Sequence, residues 1–521
     1  MRPPPIAVSR PVAAAPSPAR STSGGAGNRI LANLLALSMS QVTTWTLTLV
    51  WTVIVPRLLG PAGSGFLVLV WSANGLLMAL CGMGSRTMLI REIARDRTRA
   101  PALLATALTV RAVACVPCIG FTIVYIHLAR YANTERAFLY VAAVLTAFML
   151  LSEPMQAAFQ GIERMKYQAY SDILNKGLAA VLGVALVLVG FRANALAWLM
   201  VVAAAVVLLA DWMWIRRYVN IAWGECLRGL RAFMRESMAY WAYAISYTFY
   251  LWIDASLVGI LAPPAVLGYY GMPTKLFGTI LFVPTILATA WLPRLSAAFR
   301  EGGRRQLRKL SRPPLELSVV LSLPIAVGVV LVAQPMVMTL YGQWFAPAVP
   351  VMQILALAAI PMYLNIIVAT VLIAAGRQTM WTIVMGGAGV FNMAANLILI
   401  PQFQNQRHNG AIGAALALLM TEILIALIGI VVGRRFLTWR VVPRITRSLL
   451  ATAGMAVCVL LVRRYGLVAE VGVGGVVFTA LALLLRVPTK EEQQEGLRII
   501  RRVLSGRRSS AGESQTMAAG E

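Results

Sequence analysis

The sequence predicts an all-α, polytopic membrane protein of about fourteen transmembrane helices, arranged as two pseudo-symmetric six-helix lobes plus two C-terminal helices. The first observation is hydropathy. Of 521 residues, 59% are hydrophobic and 12% charged, and mean hydropathy is +0.75. Soluble domains carry roughly 25% charged residues, and no soluble core of this size could absorb so much apolar surface. Apolar runs recur from Ile30 to Leu485, each long enough to cross roughly 30 Å of hydrocarbon as a helix. They are continuous rather than alternating, which excludes a barrel.

The second observation is where the charge lies. The spans read as residues 30–55, 63–85, 102–128, 136–160, 171–190, 194–215, 238–262, 267–292, 315–340, 347–374, 377–400, 410–433, 445–462 and 467–486. Between them or within three residues of a span's end, 36 of the 46 Lys and Arg fall on one side and 7 on the other, with Arg111, Lys176 and Lys275 further inside spans. Basic residues stay cytoplasmic, so both termini are expected there. The net charge of +27 is therefore topological and predicts no nucleic-acid partner; attraction to anionic membrane lipids follows from it secondarily.

The third is an internal repeat. Pro61-Ala62-x-x-Gly65-Phe66 and Pro264-Ala265-x-x-Gly268-Tyr269 share an offset of 203, which also aligns Leu89-x-Arg91 with Leu292-x-Arg294 and Arg97 with Arg300. One register without a gap points to a six-helix unit repeated in parallel around a central site.

In chain order, residues 1–28 read as a disordered cytoplasmic tail rich in Pro, Ala, Ser and Arg. The apolar run after it is too long for a signal-peptide core and is expected to be retained. The first lobe covers 29–218. An amphipathic linker, 219–237, sets Trp223, Leu227, Leu230 and Met234 on one face and is expected to lie on the inner leaflet. The second lobe covers 238–433, spans thirteen and fourteen 434–486, and a cytoplasmic tail with a short amphipathic helix 487–521.

Ionisable groups inside hydrocarbon usually face a cavity or a partner. In the seventh span Tyr240, Tyr243, Tyr247, Tyr250 and Asp254 recur at spacings of 3, 4, 3 and 4, hence on one face. A wet lumen explains this stripe; interhelical packing is the alternative. The first span repeats the design with Asn33, Gln41, Thr44, Thr48 and Thr52. Depth suggests pairs: Asp254 with Lys275, Arg111 with Glu153, and Asp172 with Lys176 four residues on. Each is either a switch or a neutralised structural pair. Glu422 lies mid-span with no evident partner. Arg86, Arg91 and Arg95 read as topological charge, with phosphate collection as the lesser reading.

Cys81, Cys115, Cys118, Cys226 and Cys458 predict no disulfide framework. Cys115-x-x-Cys118 sits in an apolar helix and reads as packing rather than metal or redox chemistry. His127 and His408 are far apart, so no metal site is expected.

Several motifs resemble one family. They are Arg57-Leu-Leu-Gly60-Pro-Ala-Gly63-Ser-Gly65, Gly82-Met-Gly84, Arg91-Glu92-Ile93-Ala94-Arg95, the stretch Tyr269 to Phe299 with Pro273, Pro284 and Pro293, and Asn396-Leu-Ile-Leu-Ile-Pro401 before Gly410-Ala-Ile-Gly413 and Glu422. In order and spacing, over about residues 29–440, they are similar to the polysaccharide-transport flippases of the multidrug/oligosaccharidyl-lipid/polysaccharide superfamily. The resemblance implies alternating access in the cell inner membrane and an undecaprenyl-diphosphate-linked oligosaccharide as substrate. It also implies that polysaccharide polymerase or assembly proteins are partners. Relatives that flip the peptidoglycan precursor carry several arginines in the first, second and eighth spans. Here only Arg57 and Lys275 come near that pattern, which favours the exopolysaccharide or O-antigen branch.

The diphosphate would need lumenal cations, and Arg111, Lys176, Lys275 and Arg57 are available. Asn33, Gln41, Tyr243, Tyr247 and Tyr250 would offer sugar contacts. Asp254, Glu153, Asp172 and Glu422 would serve ion pairing and coupling to H+ or Na+, with no cofactor. A drug or cation antiporter of the same superfamily would want a more acidic lumen. A glycosyltransferase or O-antigen ligase would want a sizeable external loop, and the external loops are all short, so no enzyme is expected.

Overall fold

The structure, a computed structural model, describes residues 23–226, 229–438 and 442–487; side chains are described from Thr43, except at 225, 239, 243, 247, 442 and 443. The expected tail helix after residue 487 lies outside the described residues. Among them there is no β-strand, and twelve helical stretches are long and apolar enough to cross a membrane. Two of these, Thr43–Cys81 and Pro264–Tyr341, each hold two crossings, which accounts for the fourteen spans.

The first such stretch lies in α1 (Ser23–Cys81), which turns back on itself at Gly60, a glycine at φ 75°. The Trp51 and Trp71 rings lie 6.4 Å apart, whereas twenty residues of straight helix would separate them by about 30 Å. Glycine supplies the positive φ, and Pro61, which has no amide hydrogen to leave unbonded, restarts the helix. The inner limb of this hairpin ends at Cys81, four residues before the expected boundary, and α2 (Ser85–Arg95) follows. "Inner" here denotes the end of each span away from Gly60.

The first half continues with α3 (Ala100–Ala129), α4 (Asn133–Gly161), α5 (Met165–Leu188) and α6 (Ala193–Ile215). The second half holds α7 (Leu230–Leu261), α8 (Pro264–Ile280), α9 (Phe282–Leu310), α10 (Arg312–Tyr341), α11 (Val349–Ala374), α12 (Gln378–Arg407) and α13 (Gly410–Gly433). In α9, Gly303 (φ 60°) redirects the chain before α10. The last helices, α14 (Val442–Leu461) and α15 (Leu467–Leu484), pack on each other and on α10. A tie of Arg444 and Arg312 to the buried Glu316 holds this appendage to α10.

The end of the linker is continuous with α7. Residues 230–237 are the first turns of α7, and Phe233 is buried with Leu104, Leu108 and Ile215 of the first half, while Leu230 and Met234 pack alongside. Trp223, on the same expected face, is 50% exposed, and Leu227 lies outside the described residues; the Ala222 amide bonds the Pro101 carbonyl and the Thr106 hydroxyl bonds that of Cys226.

The two halves meet along α1, α7 and α8. At the outer end, Gly65 packs so closely that a Cβ there would lie 1.7 Å from the Pro264 carbonyl oxygen, and one on Gly268 would lie 2.1 Å from that of Pro61. These four residues are the ones the repeat offset aligns. Reciprocal contact between equivalent residues is what a two-fold axis between like units produces. At the inner end the Trp241 indole donates to the Ala79 and Leu80 carbonyls at 2.9 and 3.1 Å, and Arg91 donates to the Tyr240 hydroxyl at 2.8 Å.

Candidate functional site

Helices α7, α8, α12 and α13 bring two carboxylates into the second half. Asp254 accepts from the Tyr270 hydroxyl at 2.9 Å and from Asn396 Nδ2 at 2.7 Å. Asn396 also donates to Asn392 Oδ1, and Asn392 donates to Thr421. Next to Thr421, Glu422 accepts from the Tyr250 hydroxyl and from Asn365 Nδ2. Asp254 is 4% exposed and Glu422 1%. All their hydrogen-bond partners shown here are neutral. Two acceptor oxygens beside them, Asn396 Oδ1 and Asn365 Oδ1, are buried without a hydrogen-bond partner. A buried carboxylate without a cation is expensive in its ionised form. The cluster is therefore chemically suited to take up a proton or a small cation.

Asp254 and Lys275 do not pair, contrary to the depth argument. Tyr270 faces Asp254, and Lys275 lies five residues further on, about 140° around α8 at 100° per residue. Its ammonium instead sits over the Trp71 ring, 2.7 Å from the centroid, in the seam between the halves. Equal depth fixed height on the helix but not azimuth.

In the first half Arg111 and Glu153 do meet through an ion pair. Arg111 is 1% exposed, also donates to the Cys81 carbonyl, and is sealed from the lumen it was expected to line. Glu153 reaches a cavity of about 90 Å³ shared with Arg86, Ser152, Gln156 and Asn175. Beneath it Asp211 is fully buried and accepts from Ser152, Ser171 and Gln156. Asp172 and Lys176 form no ion pair; both are exposed on α5, where no low-dielectric surroundings hold them together.

The tyrosine stripe also divides. Tyr250 points into the second half at Glu422, and Tyr240 is held by Arg91, so neither presents a free ring to a lumen. A straight stripe need not meet one environment, because α7 packs on α2 at its inner end, on α12 and α13 in the middle, and on α8 at its outer end. The side chains of Tyr243, Tyr247, Asn33 and Gln41 lie outside those described. Thr44 and Thr52 are packed in. Arg57 donates to the Thr339 carbonyl at 2.8 Å, a tie between α1 and α10 at the outer end. Cys81 and Cys118 are buried in one apolar cluster with Cys115 alongside, and among the described residues no group of metal ligands converges.

Sequence reading missed Asp211, Asn365, Asn392 and Tyr270. Asp211 was findable as the one acid in its span, and the asparagines as amides within apolar runs. That they converge was not.

A search of curated proteins by sequence gives no match. Among solved structures, one titled lipid II flippase MurJ, inward closed conformation, superposes with a TM-score of 0.71 at 11% identity, covering 88% of this chain and 99% of that one. An inward-facing multidrug resistance MATE family transporter of the MOP superfamily gives 0.63 at 16% identity, covering 77% and 97%. A MOP superfamily transporter from Pyrococcus furiosus gives 0.52 at 16%, covering 80% and 96%. These likenesses establish the fold. The polysaccharide biosynthesis protein family model matches residues 30–299, more than half the chain, and the protein belongs to that family.

Proposed function

We propose that the protein flips an undecaprenyl-diphosphate-linked oligosaccharide, an O-antigen or exopolysaccharide unit, across the inner membrane by alternating access. The observation that carries this is Lys275, a cation held over Trp71 in the seam, with no ion-pair partner among the described residues. Such a group suits an anionic headgroup moving between two halves. The carboxylates Asp254 and Glu422 lie apart from it, inside the second half, so substrate and coupling ion would use separate places. Protonation or Na+ binding there would neutralise the cluster and shift the balance between access states. Partners that polymerise or assemble the glycan would act on the released product.

In cells lacking the protein, Lys275→Gln should fail to restore surface polysaccharide, and the lipid-linked unit should accumulate on the inner leaflet. Full restoration would refute the assignment of Lys275. A cation antiporter is the second reading, favoured by the two carboxylates. It predicts that Lys275→Gln leaves transport intact while Asp254→Asn abolishes it.

A further inference from the structure

Each half carries a buried acid on its sixth span, tied to an amide on its fourth. In the second half Asn365 of α11 donates to Glu422 of α13 at 2.8 Å; in the first, Gln156 of α4 donates to Asp211 of α6 at 3.0 Å. The paired residues are 57 and 55 positions apart, as expected of a repeated six-helix unit.

The surroundings of the two acids differ in kind. Around Asp211, Ser152, Ser171 and Gln156 all present hydrogens to the carboxylate, and none of their side-chain polar atoms is left buried without a partner. A hard metal ion needs several oxygens turned towards it. A proton needs one acceptor, and Ser171 supplies it. The Ser171 hydroxyl is bonded to Asp211 Oδ1 and also lies 3.0 Å from the Tyr167 carbonyl. A hydroxyl has one hydrogen to give and two lone pairs. With Asp211 ionised, that hydrogen turns to Oδ1. With Asp211 protonated, Oδ1–H donates to Ser171 Oγ and the serine hydrogen turns to Tyr167. Ser152 and Gln156 hold Oδ2 in both states. Neither charge state leaves a buried polar group unbonded, which removes the main cost of exchanging a proton inside hydrocarbon.

A route is present as well. Ser152 and Gln156 also line the cavity of about 90 Å³ at the inner end, with Arg86, Glu153 and Asn175, and this cavity is polar and large enough to hold water. The charged groups nearby do not neutralise Asp211. Asp172 of α5, within electrostatic reach, is another acid. Glu153 of α4 is paired with Arg111 of α3, and Arg86 of α2 faces the cavity, whose lining does not include Asp211.

We propose that Asp211 is a proton-binding site of the first half, loaded from the inner end through this cavity and separate from the carboxylates of the second half. A hydronium ion in the cavity gives up its proton and remains as water, and the carboxylate becomes a neutral acid; no bond between heavy atoms changes. Each half then responds to a cation of its own.

The test is infrared difference spectroscopy on purified full-length protein in detergent, with the pH lowered through the carboxylic acid range. Wild type should gain the carbonyl stretch of buried protonated acids, with one component absent from Asp211→Asn and retained in Asp254→Asn and in Glu422→Gln. Asparagine can make the bonds of the neutral acid, its amide donating to Ser171 and its oxygen accepting from Ser152 and Gln156, so Asp211→Asn should melt as wild type does. Ser152→Ala should move the same component to higher frequency, because the carbonyl oxygen loses a hydrogen bond; a merely structural Ser152 would leave it in place. If Asp211→Asn gives the wild-type spectrum, or if the component vanishes with Asp254 or Glu422, the inference fails. Should Asp211→Asn not fold, Ser152→Ala decides, and an unmoved band overturns the site. None of these readings depends on which molecule is transported.

Discussion

At the scale of single residues, the informative groups are those whose charge is not cancelled. Asp254 is satisfied by Tyr270 and Asn396, Lys275 by a ring face, and they share no partner. Residues without shared partners contribute additively to stability, usually within about 0.5 kcal/mol. A double-mutant cycle with Asp254→Asn and Lys275→Gln, read by thermal melting in detergent, should therefore show no coupling beyond that. A coupling of several kcal/mol would mean that the two meet in the ground state, as depth alone suggested. The Arg111 and Glu153 pair is the contrasting case, since both partners face each other across α3 and α4. Its depth argument succeeded because two arginine and glutamate side chains are long enough to cover an error in azimuth.

At the scale of elements, the crossing of α1 with α8 brings the two halves into backbone contact at the outer end. Gly65 and Gly268 leave no room for a side chain against Pro264 and Pro61, so Gly65→Val cannot keep this contact without backbone movement. In a background free of native cysteine, a cysteine replacing Trp71 should then react faster with an impermeant thiol reagent added from outside than it does with Gly65 intact. Equal rates would show that the crossing is not an outer barrier. The inner end is held by weaker means, the Trp241 indole on two carbonyls and Arg91 on Tyr240. Hydrogen bonds of this kind contribute about 1 kcal/mol each, which suits a closure that must open in turn.

At the scale of the whole molecule, the 36-to-7 division of basic residues predicts that both termini are cytoplasmic. Reporter fusions that require the periplasm should be silent at residue 510 and active near Asn405. The reverse pattern would place the Gly60 end of the molecule in the cytoplasm.

What the sequence determined by itself was the number of spans, their approximate positions along the chain, and the register of the repeat. Each is a one-dimensional property: hydrophobic run length, charge alternation, and the offset that places Pro61 and Gly65 opposite Pro264 and Gly268. The candidate site was legible only in part. Asp254, Glu422, Lys275, Arg111 and Glu153 stood out because ionisable groups are rare in hydrocarbon. Their partners did not, because Asn365, Asn392, Asn396 and Tyr270 are tolerated in membrane helices for many reasons. Tertiary structure alone decided which way each faced. It sent Tyr250 to Glu422 and Lys275 to Trp71, and it opened a cavity beside Arg86, which the sequence had assigned to topology. The physical reason is azimuth: depth along a helix can be counted from a sequence, but the neighbour at that depth depends on how the helices are rotated and packed.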